Sequence, residues 1–189
     1  MPPTKDRIVE TATRLAQTLG FNAFSYADIA EAVGIRKASI HHHFPAKTDL
    51  AAAMVVAYRA GFSAELARID EIGTGSVERL TLYTQAYRAS LVNERMCLCG
   101  MLASDASTLP EPTRLQVTAF FAENVTWLAR TLDDGRRAGE LDFAGVAADR
   151  AKLMLAAMQG VLLVARGMDD RAFFDTTVAE LIGGLQPKP

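Results

Sequence analysis

A chain of 189 residues, half of them apolar, can enclose a substantial core in one large domain or two small ones, and that composition excludes intrinsic disorder. Lys and Arg number 20 against 22 Asp and Glu, a formal net charge of −2, so bulk charge does not mark out a nucleic-acid binder. Cys97 and Cys99, the only cysteines, are separated by one residue and exclude a disulfide framework.

The charge is unevenly spread. Residues 1–50 hold six Lys or Arg (Lys5, Arg7, Arg14, Arg36, Lys37, Lys47) against five Asp or Glu, together with all three histidines, and the remainder holds 14 against 17. The expected organisation is a small, slightly basic domain over 1–50 and a larger acidic one over 51–189. The start, MPPTKDR, runs straight into a polar amphipathic pattern without the apolar core of a signal peptide, so the expected location is cytoplasmic. The longest apolar run, Leu153 to Ala165, is broken by Gln159 and Gly160 and is too short to cross a bilayer.

In chain order, Ile8, Ala12, Leu15, Ala16 and Leu19 recur at helical spacing and predict a first helix from Lys5 to Leu19, ended by Gly20. Ser25 with Asp28 three positions on reads as a near capping box opening a second helix, whose inward residues are Ile29, Ala30 and Val33 and which Gly34 breaks. A third runs from Lys37 to Phe44, inserting Ile40 and Phe44 into the same core before Pro45. A long fourth helix is expected from Ala46 to about Glu71, and a fifth, capped by Ser76, to about Asn93. Glu94 to Pro112 is less regular, with a turn at Cys97–Gly100, a short helix near Met101–Ser107 and a break at Pro110 and Pro112. Three more helices follow, to about Ala138, over Gly145–Arg166 and over Arg171–Leu185, and residues 186–189 read as a disordered tail. The chain is all-α, about nine helices, with no strand pattern and no internal repeat.

The second and third helices and the Gly34 turn have the lengths of a helix-turn-helix unit, in which the second of the pair enters the major groove. The phrases Ser25-Tyr26-Ala27-Asp28-Ile29-Ala30, Val33-Gly34-Ile35 and Ser39-Ile40-His41-His42-His43-Phe44-Pro45-Ala46-Lys47 carry a resemblance to the TetR family of transcriptional regulators. Asp134-Gly135-Arg136-Arg137-Ala138-Gly139-Glu140-Leu141 is similar to the phrase that ends the long helix before the dimerisation helices in many members. The resemblance implies a three-helix DNA-binding domain followed by a helical domain that binds a small effector and dimerises. It also implies phosphate contacts from Ser25, Tyr26, Ser39, His41 and Lys47, and base contacts from Lys37, Ala38 and His42, with Arg36 beside them. Chemistry agrees, since Lys donates to guanine acceptors and Ala admits a thymine methyl. Arg36 stands where a capping Ser or Thr is common in the family, His41 replaces a frequent Tyr, and Ala46 removes the usual cap of the fourth helix. Successive residues on a helix do not face one another, so His41, His42 and His43 cannot chelate one metal together.

The eighth helix is apolar nearly all round, which calls for a second subunit as cover and predicts a homodimer. An effector cavity is expected among the fourth to eighth helices, with Phe62, Tyr87, Cys97, Met101, Phe120, Phe121, Asn124, Trp127 and Met158 as its lining, although such residues are also the ordinary filling of a bundle. The Cys97-Leu98-Cys99-Gly100 phrase is similar to that of relatives of the N-ethylmaleimide repressor, which answer electrophiles through cysteine. Two readings stay open: a sensing thiol favoured by Arg95, or two buried apolar thiols. The function expected is a ligand-responsive repressor, homodimeric on a palindromic DNA operator and released by a small apolar or electrophilic effector. The alternative is a small helical enzyme or adaptor using the Cys97/Cys99 region, but the histidines lie far from the cysteines in sequence, and no phosphate loop or metal spacing appears. No catalytic residue, metal or cofactor is assigned.

Overall fold

The computed structural model describes residues 2–107 and 109–187, and among these it contains nine α-helices and no strand. They are α1 (Thr4–Leu19), α2 (Tyr26–Val33), α3 (Lys37–His43), α4 (Lys47–Ile72), α5 (Ser76–Val92), α6 (Leu98–Ser104), α7 (Glu111–Arg137), α8 (Ala147–Gly167) and α9 (Arg171–Gly183). A 3-10 turn, Phe21–Ala23, follows α1. Of the tail expected at 186–189, Lys188 and Pro189 lie outside the described residues.

The chain gathers into two compact units, one taking the residues up to Phe62 with Arg95–Phe120, the other Ser63–Glu94 with the chain from Phe121 onward. The division expected at residues 50 and 51 falls inside α4.

In the first unit, α1 buries Ile8, Ala12 and Ala16 along one stripe and packs on α2, the 3-10 turn and α6. α2 begins with the capping box that Ser25 and Asp28 suggest: Ser25 N–H donates to Asp28 Oδ2 at 2.7 Å, and Ala27 N–H donates to Ser25 Oγ at 3.2 Å. It ends at Gly34, whose φ of 73° and ψ of 41° lie in the left-handed region that glycine enters without a Cβ penalty. There the Ile35 N–H turns back to the Ala30 carbonyl at 3.0 Å. Ile40 and Phe44 close the small core, 0% and 3% exposed. Ala46 supplies no side-chain cap for α4, but Asp49 reaches back to accept the Ala46 N–H at 3.0 Å, one half of a capping box. Charged residues recur along α4 at Asp49, Arg59, Glu65, Arg68 and Asp70, so it has no stretch of about 20 uncharged residues to cross a bilayer.

In the second unit, α5, α8 and α9 pack on one another. Ser76 does not cap α5 as expected. It is the first helical residue, and the cap comes from Glu140, whose carboxylate accepts the N–H groups of Ser76 at 2.6 Å and Val77 at 3.3 Å. Gly135 makes this possible by close approach, for a Cβ there would lie 2.5 Å from Leu141 and 2.7 Å from Ser76. The short sixth helix begins at Leu98, earlier than its apolar pattern suggested, and Pro112 sits within the first turn of α7, where its missing N–H costs nothing.

Candidate nucleic-acid interface

The face of α3 opposite Ile40 carries the candidate reading residues. Arg36, Lys37, Ala38, His41 and His42 are exposed, Ser39 is half-buried, and His43, also half-buried, turns toward the domain interior. Lys37 with His41 and Ala38 with His42 are pairs four residues apart, so each pair shares one line along the helix. α3 itself has no acidic residue.

The residues expected on phosphates divide into two groups. Ser25 is exposed at the start of α2, its hydroxyl donating to Asp28 Oδ2 at 2.8 Å. The same carboxylate is held below the usual carboxylate range by hydrogen bonds from the Ser25 backbone and side chain. Tyr26 and Lys47, by contrast, are engaged inside the unit. The Tyr26 ring is buried at 7% exposure, edge-on to His41 at 4.8 Å, and its only hydroxyl hydrogen goes to the Phe44 carbonyl at 2.9 Å. Burial, and then the charge of Asp49, push that phenol above its ordinary range. Lys47 Nζ donates to the carbonyls of Phe21 at 2.6 Å and Phe24 at 2.5 Å and lies over both rings, at 4.7 and 4.3 Å from their centroids. Burial pulls the ammonium below the usual lysine range. For both side chains the structure gives a pinning role that the sequence did not show, and a phosphate would have to compete with these bonds.

The nine residues expected around an effector fall in both units. In the first, Phe62 and Phe120 meet edge to face at 5.2 Å, with Tyr58 5.5 Å from Phe120, and Cys97 is buried while Met101 is half-buried. Burial pushes the Tyr58 phenol well up, helped by the neighbouring Cys97 and Cys99 thiols. Cys99 is 0% exposed and its thiol is also pushed up by burial, then by Cys97, with the charge of Arg59 opposing. A sensing cysteine needs the opposite environment.

In the second unit the interior is more polar than the sequence suggested. Tyr83 Oη donates to Asn124 Oδ1 at 3.1 Å and lies 3.3 Å from Tyr87 Oη, which accepts from Gln159 Nε2 at 3.3 Å. The Tyr83 ring stacks on Trp127 at 5.5 Å and 17°. Trp127 Nε1 donates to Asp70 Oδ1 at 3.1 Å, Met158 is fully buried and Phe121 half-buried. Tyr83 and Gln159 were absent from the sequence-based set; the four-residue spacing of Tyr83 and Tyr87 on α5 was the signal available. Such a line of buried hydroxyls and an amide, ending at the half-buried Gln159, can orient one polar group of a ligand.

Comparison with known proteins completes the picture. Residues 8–54 match the profile described as bacterial regulatory proteins, tetR family. The crystal structure of a TetR-family transcriptional regulator from Agrobacterium tumefaciens is 34% identical and superposes with a TM-score of 0.93, covering 97% of each chain. A TetR transcriptional regulator from Legionella pneumophila is 31% identical, with a TM-score of 0.89 over 98% of this chain and 99% of its own. An uncharacterised helix-turn-helix transcriptional regulator of Bacillus subtilis, YxaF, is 27% identical over 134 residues, 68% of this chain and 70% of that one.

Proposed function

The chain belongs to the TetR family of bacterial regulatory proteins and is a transcriptional regulator rather than an enzyme; from that premise we propose that it is a homodimeric repressor, released from a partly palindromic operator by a small, largely apolar effector. The observation that carries the reading is the exposed face of α3, where Arg36, Lys37, Ala38, His41 and His42 stand clear of the core while Ile40 is 0% exposed. Lys37, Ala38 and His42, with Arg36, read base edges, and Ser25, Ser39 and His41 position the helix on phosphates. Tyr26 and Lys47 join the phosphate set only where their present bonds yield. Residues 1–50 are the reading domain and 51–189 the responding one.

The second subunit is supported by α8 and α9. The buried side of α8 uses Met154, Leu155, Met158 and Leu162, yet Leu153, Leu163 and Val164 are 54%, 62% and 42% exposed. Gly160 and Gly167 lie on the same exposed side, and α9 exposes the small residues Ala172, Thr176, Ala179 and Gly183. An apolar stripe beside a small-residue stripe suits a self-complementary four-helix contact about a two-fold axis. Two copies of α3 then enter successive major grooves about 34 Å apart, and pairing doubles the modest basic charge of one reading domain.

Release requires an effector that binds better to a form whose reading helices no longer fit that spacing. Within the second unit the buried Tyr83, Tyr87, Asn124 and Trp127, the half-buried Gln159, and Phe121 and Met158 supply the chemistry of an apolar ligand with one polar group; Phe62, Met101 and Phe120 form a separate apolar set in the first unit. Cys97 belongs to this set as packing. Burial of both thiols favours a non-covalent effector over an electrophile. A cytoplasmic location, beside the chromosome, is part of the same proposal.

The test is selection of bound sequences from a random duplex pool, followed by gel shift over a salt series and release by candidate compounds. The proposal expects a two-fold-symmetric site, affinity that falls steeply with salt, and release of DNA with the dimer intact. Binding without sequence preference, or release through dimer dissociation, overturns it.

A further inference from the structure

A hollow unrelated to the effector residues, and not dependent on the proposed function, lies wholly within the first unit. A groove of about 780 Å³ is bounded by α1 and α4, within the roughly 300–1,000 Å³ usual for small-molecule sites. None of the nine residues expected around an effector lines it. On α1 the wall is formed by Val9, Glu10, Thr13, Arg14 and Gln17, successive turns of one face. On α4 it is formed by Ala53, Val56, Ala57 and Ala60. The alanines, about one turn apart, reach no further than Cβ, and that is why space remains beside them. Val56 is 52% exposed there, an apolar side chain without cover.

One end of the groove is strongly cationic. Gln17 and Met96 exchange two hydrogen bonds, Gln17 Nε2 to the Met96 carbonyl at 2.9 Å and Met96 N–H to the Gln17 carbonyl at 3.0 Å. That pairing holds Arg95, next in sequence, beside the turn of α1 that carries Arg14, and both arginines line the groove. Among the described residues neither guanidinium has an acidic partner. Arg7, toward the other end, is committed to the Val33 carbonyl at 2.6 Å. Lys5 and Arg7 are balanced by Asp6 and Glu10 in the rest of the lining, so the net positive charge of the groove amounts to that of Arg14 and Arg95.

We infer that this groove binds an amphipathic organic monoanion, its carboxylate or sulfonate between Arg14 and Arg95 and its apolar body along Ala53, Val56, Ala57 and Ala60. Guanidinium forks match such heads by paired, charge-assisted hydrogen bonds, and the alanine wall takes the body by dispersion and loss of water.

Two fluorescent probes that share an N-phenylnaphthylamine body test it: 1-anilinonaphthalene-8-sulfonate, which carries the anion, and N-phenyl-1-naphthylamine, which does not. Each is titrated into the full chain, into Arg14→Ala/Arg95→Ala and into Ala57→Trp, with helix content checked by circular dichroism. The double variant, altered only at side chains outside the core, is expected to bind the sulfonate about ten-fold more weakly, the fold-change that loss of charged hydrogen bonds brings, and the neutral probe within about two-fold of the parent. Ala57→Trp, which fills the apolar wall, is expected to weaken both. Absence of saturable sulfonate binding overturns the inference. So does binding unchanged in the double variant, or an equal loss of both probes in it.

Discussion

Leu163→Glu is the most direct perturbation of the proposed assembly. Complete burial of a leucine side chain is worth about 1.5–3 kcal/mol, and Leu163 is 62% exposed in one chain, so about 1–2 kcal/mol remains to be gained at a two-fold contact. A self-complementary stripe uses the residue twice, which makes about 2–4 kcal/mol per dimer. Glutamate forfeits that gain and brings two carboxylates into a surface that must dry, where each unpaired charge costs several kcal/mol. The total is about 5 kcal/mol or more, which raises the dimer Kd by at least about a thousand-fold. Sedimentation equilibrium across micromolar concentrations is the assay, with far-ultraviolet circular dichroism to show that α8 still forms. Leu163→Ala should fall between parent and Leu163→Glu. A Leu163→Glu protein that dimerises with the parental Kd would refute the placement of the interface on α8, and the magnitude leaves no room for experimental scatter to disguise it.

Other residues give independent checks. His42→Ala should cost about 1–3 kcal/mol of specific DNA binding in gel-shift titration while leaving non-specific binding nearly unchanged; an unaltered site preference takes His42 off the reading surface. Asp28 titrates below the usual carboxylate range in the folded chain, so its contribution is present at neutral pH and is lost as pH falls through its folded value. Asp28→Asn should therefore be less stable than the parent near pH 7 in thermal melts, with the gap closing under acid; a gap that persists at low pH contradicts the capping argument. Glu140→Ala removes the acceptor for two first-turn N–H groups of α5 and should cost about 1–2 kcal/mol in urea denaturation, with Glu140→Gln milder. Iodoacetamide should label Cys97 and Cys99 only in the presence of denaturant, and fast labelling of the native protein would revive the electrophile-sensing reading.

The helical frame could be read from the sequence wherever a helix organises itself. Ile8, Ala12 and Ala16 repeat on one face, Ser25 and Asp28 lie three apart, and Gly34 and Pro45 stop what precedes them; each of these is local. What was hidden depends on partners distant in sequence. Glu140 caps a helix 64 residues earlier, and nothing near Ser76 announces it, since a serine at a helix start looks like a cap in its own right. Lys47 reads as a surface cation until the carbonyls of Phe21 and Phe24 are seen to fold back onto it. The groove beside Ala53, Ala57 and Ala60 was unreadable for another reason, because alanines on an amphipathic helix signify close packing as readily as vacant space. The interior aromatic residues have the same ambiguity, and only their hydrogen bonds, Tyr83 to Asn124 above all, separate a polar cluster from plain filling.

The connection between α3 and α4 is short and tied on every side. The Phe44 carbonyl takes the Tyr26 hydroxyl, Ala46 N–H is held by Asp49, and Lys47 is locked to two carbonyls of the segment that leads into α2. In mechanical language this joint has no backlash. Under the proposed mechanism, a turn of the first residues of α4 would be passed through these bonds to α2 and α3. Loosening the joint, by Tyr26→Phe together with Lys47→Met, should therefore weaken the proposed effector-driven release of DNA more than it weakens DNA binding itself, both read by gel shift.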